Sequence, residues 1–473
     1  MLRLVAERRL SNGTLTRSEF LRLGGISAVA TLGAAQRTFG SESSVLSVPR
    51  AKSVIIVFAS GGQSQFETWD PKPDAPAEVR GEFGSIATAI PGTFVCEHLP
   101  QLATLADRYA LVKSMSHLDV DHGSAVYLTL TGQYHQRISS NPPPRPTDLP
   151  SVLSVFKRVR PDAGTVAPAI EINGPAIVAP QEIAAGQFGG LLGREFDPLI
   201  VGNVNEETIA VPGLGLQPDV ATVRIQERQR LLSAVDDFVR AGAAGPGSVS
   251  GQYRKAFELL DDPRTREAFD LSAEPGHVRE RYGRNRSGQA CLLARRLAQA
   301  GVPLITVVLN HHSRGQDLHP EDADAYGWDT HNDIFYAMRR HLLPRFDQTL
   351  SALLEDLAAR DMLDDTLVVC MGEFGRAPTV ALERSFAGTS PGRKHWAAVY
   401  SIMLAGAGVA GGKVIGRTDR HGAYPTGESF GPWDVAATVF AALGVDPAGH
   451  YVDALQRPFV ISPGRPMTAL YGG

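Results

Sequence analysis

The sequence predicts an α/β protein: a three-layer sandwich with a mostly parallel central sheet and helices on both faces. Two observations carry this. "SVIIVFAS" (53–60), "PLITVVLN" (303–310) and "DDTLVVCM" (364–371) are continuous apolar runs rich in β-branched residues, as expected of strands covered on both faces. Stretches of helical periodicity separate them, the alternation that builds a parallel sheet.

The N-terminus comes first. "MLRLVAERRLSNGTLTRSEFLRLGGISAVATLGAAQRTFG" opens basic and continues into a small-residue apolar run from Gly24 to Ala35. That run is shorter than the roughly 20 residues a bilayer span needs, and with "GAA" it fits an export signal. "TRSEFLRLGG" is similar to the twin-arginine pattern with Ser18 in place of the second arginine. Residues 1–45 are therefore expected to be an export signal, by a twin-arginine-like or a Sec route, delivering the protein to the periplasm or beyond. The plainer alternative is a flexible or amphipathic segment that stays on the chain. No transmembrane helix is expected in the mature chain.

Residues 50–470 are expected to form one domain. After 53–60, "YALVKSMS" (109–116) reads as a strand and "SAVYLTLTG" (124–132) as a helix closed by Gly132. Pro- and Gly-rich stretches then predict loops and a helical insertion around 135–280 rather than central strands. "SGQACLLARRLAQAG" (287–301) is a helix ending at Gly301, followed by the strand 303–310. After "WDTH", Ile334, Met338, Leu342, Phe346, Leu350, Leu353 and Leu357 recur at helical spacing. Thr330 and Asp333 form a capping signal there, and Pro344 predicts a kink. "YSIMLAG" is a further strand and "DVAATVFAALG" a last helix.

Composition narrows the function. The net charge of −4 offers no polybasic footprint for nucleic acid. Three cysteines, Cys96, Cys291 and Cys370, are too few for a disulfide framework and read as buried thiols. Doubly wound sheets bind ligands beyond the carboxyl ends of their strands. The first strand is followed by Ser64, Glu67 and Asp70, and the second by His117, Asp119, Asp121, His122 and Ser124. The third leads to His311 and His312 and then to Asp329 and His331; "GEFGR" supplies Glu373 and Arg376, and "GRKHW" supplies His395. Carboxylates and imidazoles without sulfur suit Zn²⁺, Mn²⁺ or a similar divalent ion. Two such ions could clamp a phosphate or sulfate ester, arginine could hold its oxygens, and a helix start at His122 or Ser124 favours an anion. Each piece also has a plain reading: Asp329 as helix-end electrostatics, Glu373–Arg376 as a salt bridge, His395 as a packed ring, His311 and His312 as loop residues.

In order, "GGQSQFETWDPKPDAPAEVRGEF", "EHLPQLA", "HGSAVYLTLTG", "RYGRNRSGQACLLARRLAQAGV", "GWDTH", "GEFGRAP" and "GGKVIGRTDRHGAYP" resemble the DUF1501 family, over about residues 50–470. That family is grouped with the alkaline phosphatase-like superfamily of phosphatases, sulfatases and phosphoglycerate mutases. The resemblance implies an alkaline phosphatase-like sandwich with metal bound by Asp329, His331, Glu373 and His395, and by Glu67 or Asp70 from the first strand. The family usually carries Asp where this chain has Glu67. His122 aligns where the superfamily has its Ser or Thr nucleophile, and Ser124 lies two residues on. The implied function is an exported hydrolase of phosphate or sulfate esters using one or two divalent ions, Zn or Mn. Ser124 or His122 would attack or position water, and Arg376 would hold the anion. Its substrate would be an anionic ester, polysaccharides included; the oligomeric state is left open. Alternatives are a catalytically inactive binder of an anionic polysaccharide or protein partner, and a structural protein whose polar cluster is a salt-bridged network.

Overall fold

The structure, a computed structural model, describes residues 48, 50–163, 167–178, 182–205, 263–310 and 326–472. The expected export signal at 1–45, His311 and His312, and part of the expected insertion lie outside the described residues. Val48–Gly473 forms one compact unit.

The apolar runs become the middle of an eight-stranded sheet. Its strands are β1 (Ser53–Phe58), β2 (Tyr109–Met115), β3 (Ala169–Ile172), β4 (Leu199–Val201), β5 (Leu304–Val308), β6 (Thr366–Met371), β7 (Tyr400–Ala405) and β8 (Val414–Ile415). They lie in the order β8-β2-β7-β6-β1-β5-β3-β4. β1 pairs in parallel with β5 and β6, and only β7 runs against its neighbours, β6 and β2. The helices that matter here are α1 (His122–Thr131), α2 (Val152–Val159), α3 (Arg286–Gln299), α4 (Leu343–Ala359) and α5 (Pro432–Ala442).

Because side chains alternate along a strand, β1 serves two cores. Ile55 and Val57 join Ile305, Val307, Val368 and Cys370 against α3 and α4. Val54 and Ile56 join Leu304, Leu367 and Val369 against α2 and α5. The expected three layers are thus present, with a mostly parallel sheet between helices. All three cysteines are free and buried.

Two local expectations need correction, and the break expected at Pro344 takes a specific form. The stretch expected to lack central strands supplies β3 and β4, which pair in parallel with each other while β3 adjoins β5. At four and three residues they are too short to show a period. Pro344 bends its helix through a π turn at Met338–Leu342, and α4 restarts with the proline in its first turn, where its missing N–H costs little. Asp333 does not cap the helix it precedes. Its φ is 53° and it makes no side-chain cap bond. Its carboxylate instead accepts from the Thr389 N–H (3.0 Å) and from the Ser390 N–H (2.7 Å) and hydroxyl (2.6 Å).

One buried acid gives a stability prediction. Glu171 on β3 is 2% exposed, and its Oε1 has no hydrogen-bond partner. Burial pushes its carboxyl from 4.5 up to about 8. Between these values the folded protein keeps a proton that the unfolded chain has released, so stability falls as pH rises through that window. The full excursion is on the order of 5 kcal/mol. Urea midpoints from pH 4.5 to 9 should decline more steeply for the native chain than for Glu171→Gln; parallel profiles would refute the assignment.

Candidate metal centre

The parallel strands end on one edge of the sheet, and the loops leaving that edge build the site. After β1, Gly61 and Gly62 turn the chain. Gly62 has φ 74°, and a Cβ there would lie 2.5 Å from the Phe374 ring, so only glycine fits. After β2, Asp121 caps α1 through its side chain and places His122 on the first turn. After β5, the chain reaches Asp329 and His331; after β6, Glu373 and Arg376. His395 precedes a strand rather than following one. Because β7 is antiparallel, its start lies at this edge, and the pairing of Arg376 with His395 fixes the position.

Asp329 Oδ1 is the hub. Nε2 of His122 lies 3.1 Å from it, Nε2 of His331 3.1 Å, Nε2 of His395 3.2 Å, and an Arg376 terminal nitrogen 2.8 Å. Ligand atoms of His122, Asp329 and His395 all lie within 4.8 Å of one another, and His331 Nε2 is 2.8 Å from His395 Nε2. Each ring is steered from behind. Nδ1 of His122 meets Glu373 Oε1 at 2.6 Å, Nδ1 of His331 meets Glu383 Oε2 at 2.8 Å, and Nδ1 of His395 meets the Val120 carbonyl at 2.7 Å. Those acceptors fix the Nδ1–H tautomer and leave Nε2 facing the hub, as acceptors behind metal-bound histidines do.

The electrostatics favour a cation. His122 Nε2 is buried without a hydrogen bond, since its approach to Asp329 is close in distance but poorly aligned. Burial opposes charge on His122, but Asp329 and Glu373 outweigh it and raise the ring to about 9. Burial and the neighbouring His122 charge lower His395 to about 3. Asp329 stays ionised well below the usual range: His122 and Arg376 overcome its burial. The pocket therefore demands positive charge at its centre, which either a proton on His122 or a metal ion can supply, the two in competition. Three imidazoles and a carboxylate are a donor set that Zn²⁺ or a similar ion accepts, so the residues present fit a metal.

The structure brings His122, Asp329, His331 and His395 together, with Glu373 and Arg376 directly behind them. Each of these expected site residues has defined partners. His122, expected to attack or position water, stands with Asp329 and His395 in the group whose atoms could hold an ion. Glu373, expected as a ligand, accepts from the Gly61 N–H through both oxygens, at 2.9 and 3.1 Å, and orients His122. Arg376, expected to hold an anion, is fully buried, and its three guanidinium nitrogens donate to Gly61, Gly62, Trp328 and Arg393 carbonyls and to Asp329. Ser124 donates to Asp119 (2.7 Å) and accepts from the Ser140 N–H (3.0 Å), which turns its hydroxyl to that loop rather than to the hub. Glu67 is clamped by Arg393, Nε at 3.0 Å and a terminal nitrogen at 2.8 Å, and also receives Ser64. Asp70 binds Lys72, Lys113 and Thr418. The two first-strand acids are thus engaged by other partners.

Glu383 was missed. It sits in "ALERSFAGTSPG", where no strand end points to it. Asn332 anchors that loop, accepting from the Glu383 N–H (2.8 Å) and donating to its carbonyl (2.9 Å). Partners behind metal-bound histidines are typically worth roughly 10- to 100-fold in affinity. Glu383→Gln should weaken metal binding by about that range, measured by competition with a chelator; unchanged affinity would remove Glu383 from the site.

Residues 51–471 match the model of a family described as "Protein of unknown function (DUF1501)". The chain belongs to the DUF1501 family. Solved structures similar to this DUF1501 protein include one in the alkaline phosphatase superfamily from Vibrio parahaemolyticus. That structure shows 11% identity over 85% of this chain and 68% of that one, with TM-score 0.40. A sulfatase from Pseudoalteromonas sp. shows 14% identity over 91% and 72%, TM-score 0.38. A phosphonate monoester hydrolase from Silicibacter pomeroyi shows 12% identity over 88% and 75%, TM-score 0.40. No curated protein matches the DUF1501 chain in sequence. Among its described residues no helix is long and apolar enough to cross a membrane.

Proposed function

We propose that this DUF1501 protein is an exported, metal-dependent hydrolase of phosphate or sulfate esters. The observation that carries the reading is the convergence of three Nε2 atoms on Asp329 Oδ1, each ring steered from behind. His122, Asp329, His331 and His395 would hold the ion, Zn or Mn. When bound, it would supply Lewis-acid stabilisation of an ester oxygen. Glu373, Glu383 and the Val120 carbonyl keep the rings in register, and Arg376 keeps Asp329 ionised and fixed to the Gly61–Gly62 turn. With Ser124 turned to Asp119, water is the proposed nucleophile: its oxygen bonds to phosphorus or sulfur, the ester oxygen leaves as an alcohol, and the water proton passes to that oxygen. Export rests on the basic and apolar pattern of residues 1–45.

The test is metal analysis of the purified chain together with turnover of phosphate and sulfate monoesters. Stoichiometric metal and turnover that a chelator abolishes are expected. Absence of bound metal after incubation with Zn²⁺ and Mn²⁺ would overturn the reading. A second reading, a binder without catalysis, is favoured by the commitment of Arg376 and Ser124 to protein partners. It predicts a retained anionic ligand, with metal bound and no ester turned over.

A further inference from the structure

We propose that the site takes esters whose organic group is apolar, and that loops on two sides of its mouth select them. This rests on the hydrolase reading for the anionic end of the ligand. The cluster opens on one side: the His122, Asp329 and His331 side chains are 2–6% exposed, whereas His395 is 18% exposed. The loops that flank that opening expose large apolar side chains alongside polar ones such as Arg384 and Lys394. On one side the loop whose Val120 carbonyl holds His395 exposes Leu118 (76%) and Val120 (45%). Ile138 (50%) is joined to it through Ser139, which bonds Asp119 (2.9 Å) and Val120 (3.4 Å). On the other side Phe386 stacks on the His331 ring at 3.8 Å, and Leu382 on the same loop is 45% exposed.

These residues form a contact chain, Phe386 to His331 to His395 to Val120, across the cluster. Five of the eleven large apolar side chains exposed among the described residues stand on these three segments, which is more than scattered surface exposure requires. Three nearby cations are paired with acids: Arg376 with Asp329, Arg393 with Glu67 and Lys394 with Glu383 at 3.3 Å. A ligand entering here meets the ion that His122, Asp329 and His395 would hold and an apolar rim, a pairing that fits an anionic headgroup on an aryl or alkyl body. Hydroxyls of a polyhydroxylated body that met Leu118, Val120, Ile138, Leu382 or Phe386 would find no partner there.

The experiment compares binding of phenylphosphonate and methylphosphonate, which lack a cleavable ester bond, to the zinc-loaded full chain by calorimetry. Burying most of a ring predicts a preference for the phenyl compound of at least about tenfold. The preference should fall to about twofold in the double variant Leu118→Ser, Val120→Ser, and partly in Ile138→Ser, with metal content unchanged. A preference below about twofold in the native chain, or one that neither variant alters, would overturn the proposal. So would sedimentation of the native chain, but not the double variant, with phosphatidylcholine vesicles in the absence of phenyl preference; the rim would then be a lipid contact. Ester turnover is scored separately: a retained phenyl preference without turnover defeats the hydrolase reading and leaves this one standing.

Discussion

Replacing Asp329 by asparagine should leave the purified chain without stoichiometric metal and abolish ester turnover. The same change should cost about 3–5 kcal/mol of stability, because it leaves a buried guanidinium without its carboxylate. Arg376 is 0% exposed, and among the described residues Asp329 is the one acid with which it forms an ion pair. Two measurements separate the effects. Metal content reports the ligand role, and the urea midpoint in excess chelator reports the ion pair. A variant that retains one ion per chain would remove the hub from the site, whatever its stability.

The second large effect is expected away from the metal. Glu67→Gln should destabilise the protein by about 3–5 kcal/mol, since it strands the buried Arg393. That guanidinium also donates to the Val79 carbonyl at 2.8 Å and lies 4.3 Å from the centre of the Phe66 ring. Glu67→Asp should recover part of the loss, because it keeps the charge while shortening the reach by one methylene. Arg393 is two residues from His395, and its backbone N–H bonds the Thr330 carbonyl at 3.1 Å. Metal affinity should therefore fall in Glu67→Gln without any ligand having changed. Equal urea midpoints for the native chain and Glu67→Gln would show that the pair contributes nothing.

How much of this was legible in the sequence follows from which interactions are local. The apolar runs of β1, β5 and β6 announced buried parallel strands, since burial on both faces leaves no polar residue to interrupt them. "WDTH" and "GEFGR" stood out because they follow such strands. His395 could be listed but not placed, because nothing local says that β7 runs backward. The division of labour among the acids was also hidden. Glu373, Glu67 and Asp329 are alike as residue types, and only their partners, His122, Arg393 and Arg376, separate the one at the hub from those that support or stabilise. Those partners lie tens to hundreds of residues away. Asp333 misled for the opposite reason: a capping pattern was present, but the 381–392 loop competed for its carboxylate and won with three hydrogen bonds.

The reversed strand has one more consequence. The chain leaves the rim at the exit of β6 and returns to it at the entrance of β7, its immediate neighbour, so everything between Gly372 and Val399 is an excursion from a single place. Such an excursion can be lengthened, trimmed or exchanged without re-threading the sheet. It carries Phe386, Glu383, Arg393 and His395 together, so one side of the proposed rim and one of the four proposed ligands can change while the scaffold stays as it is.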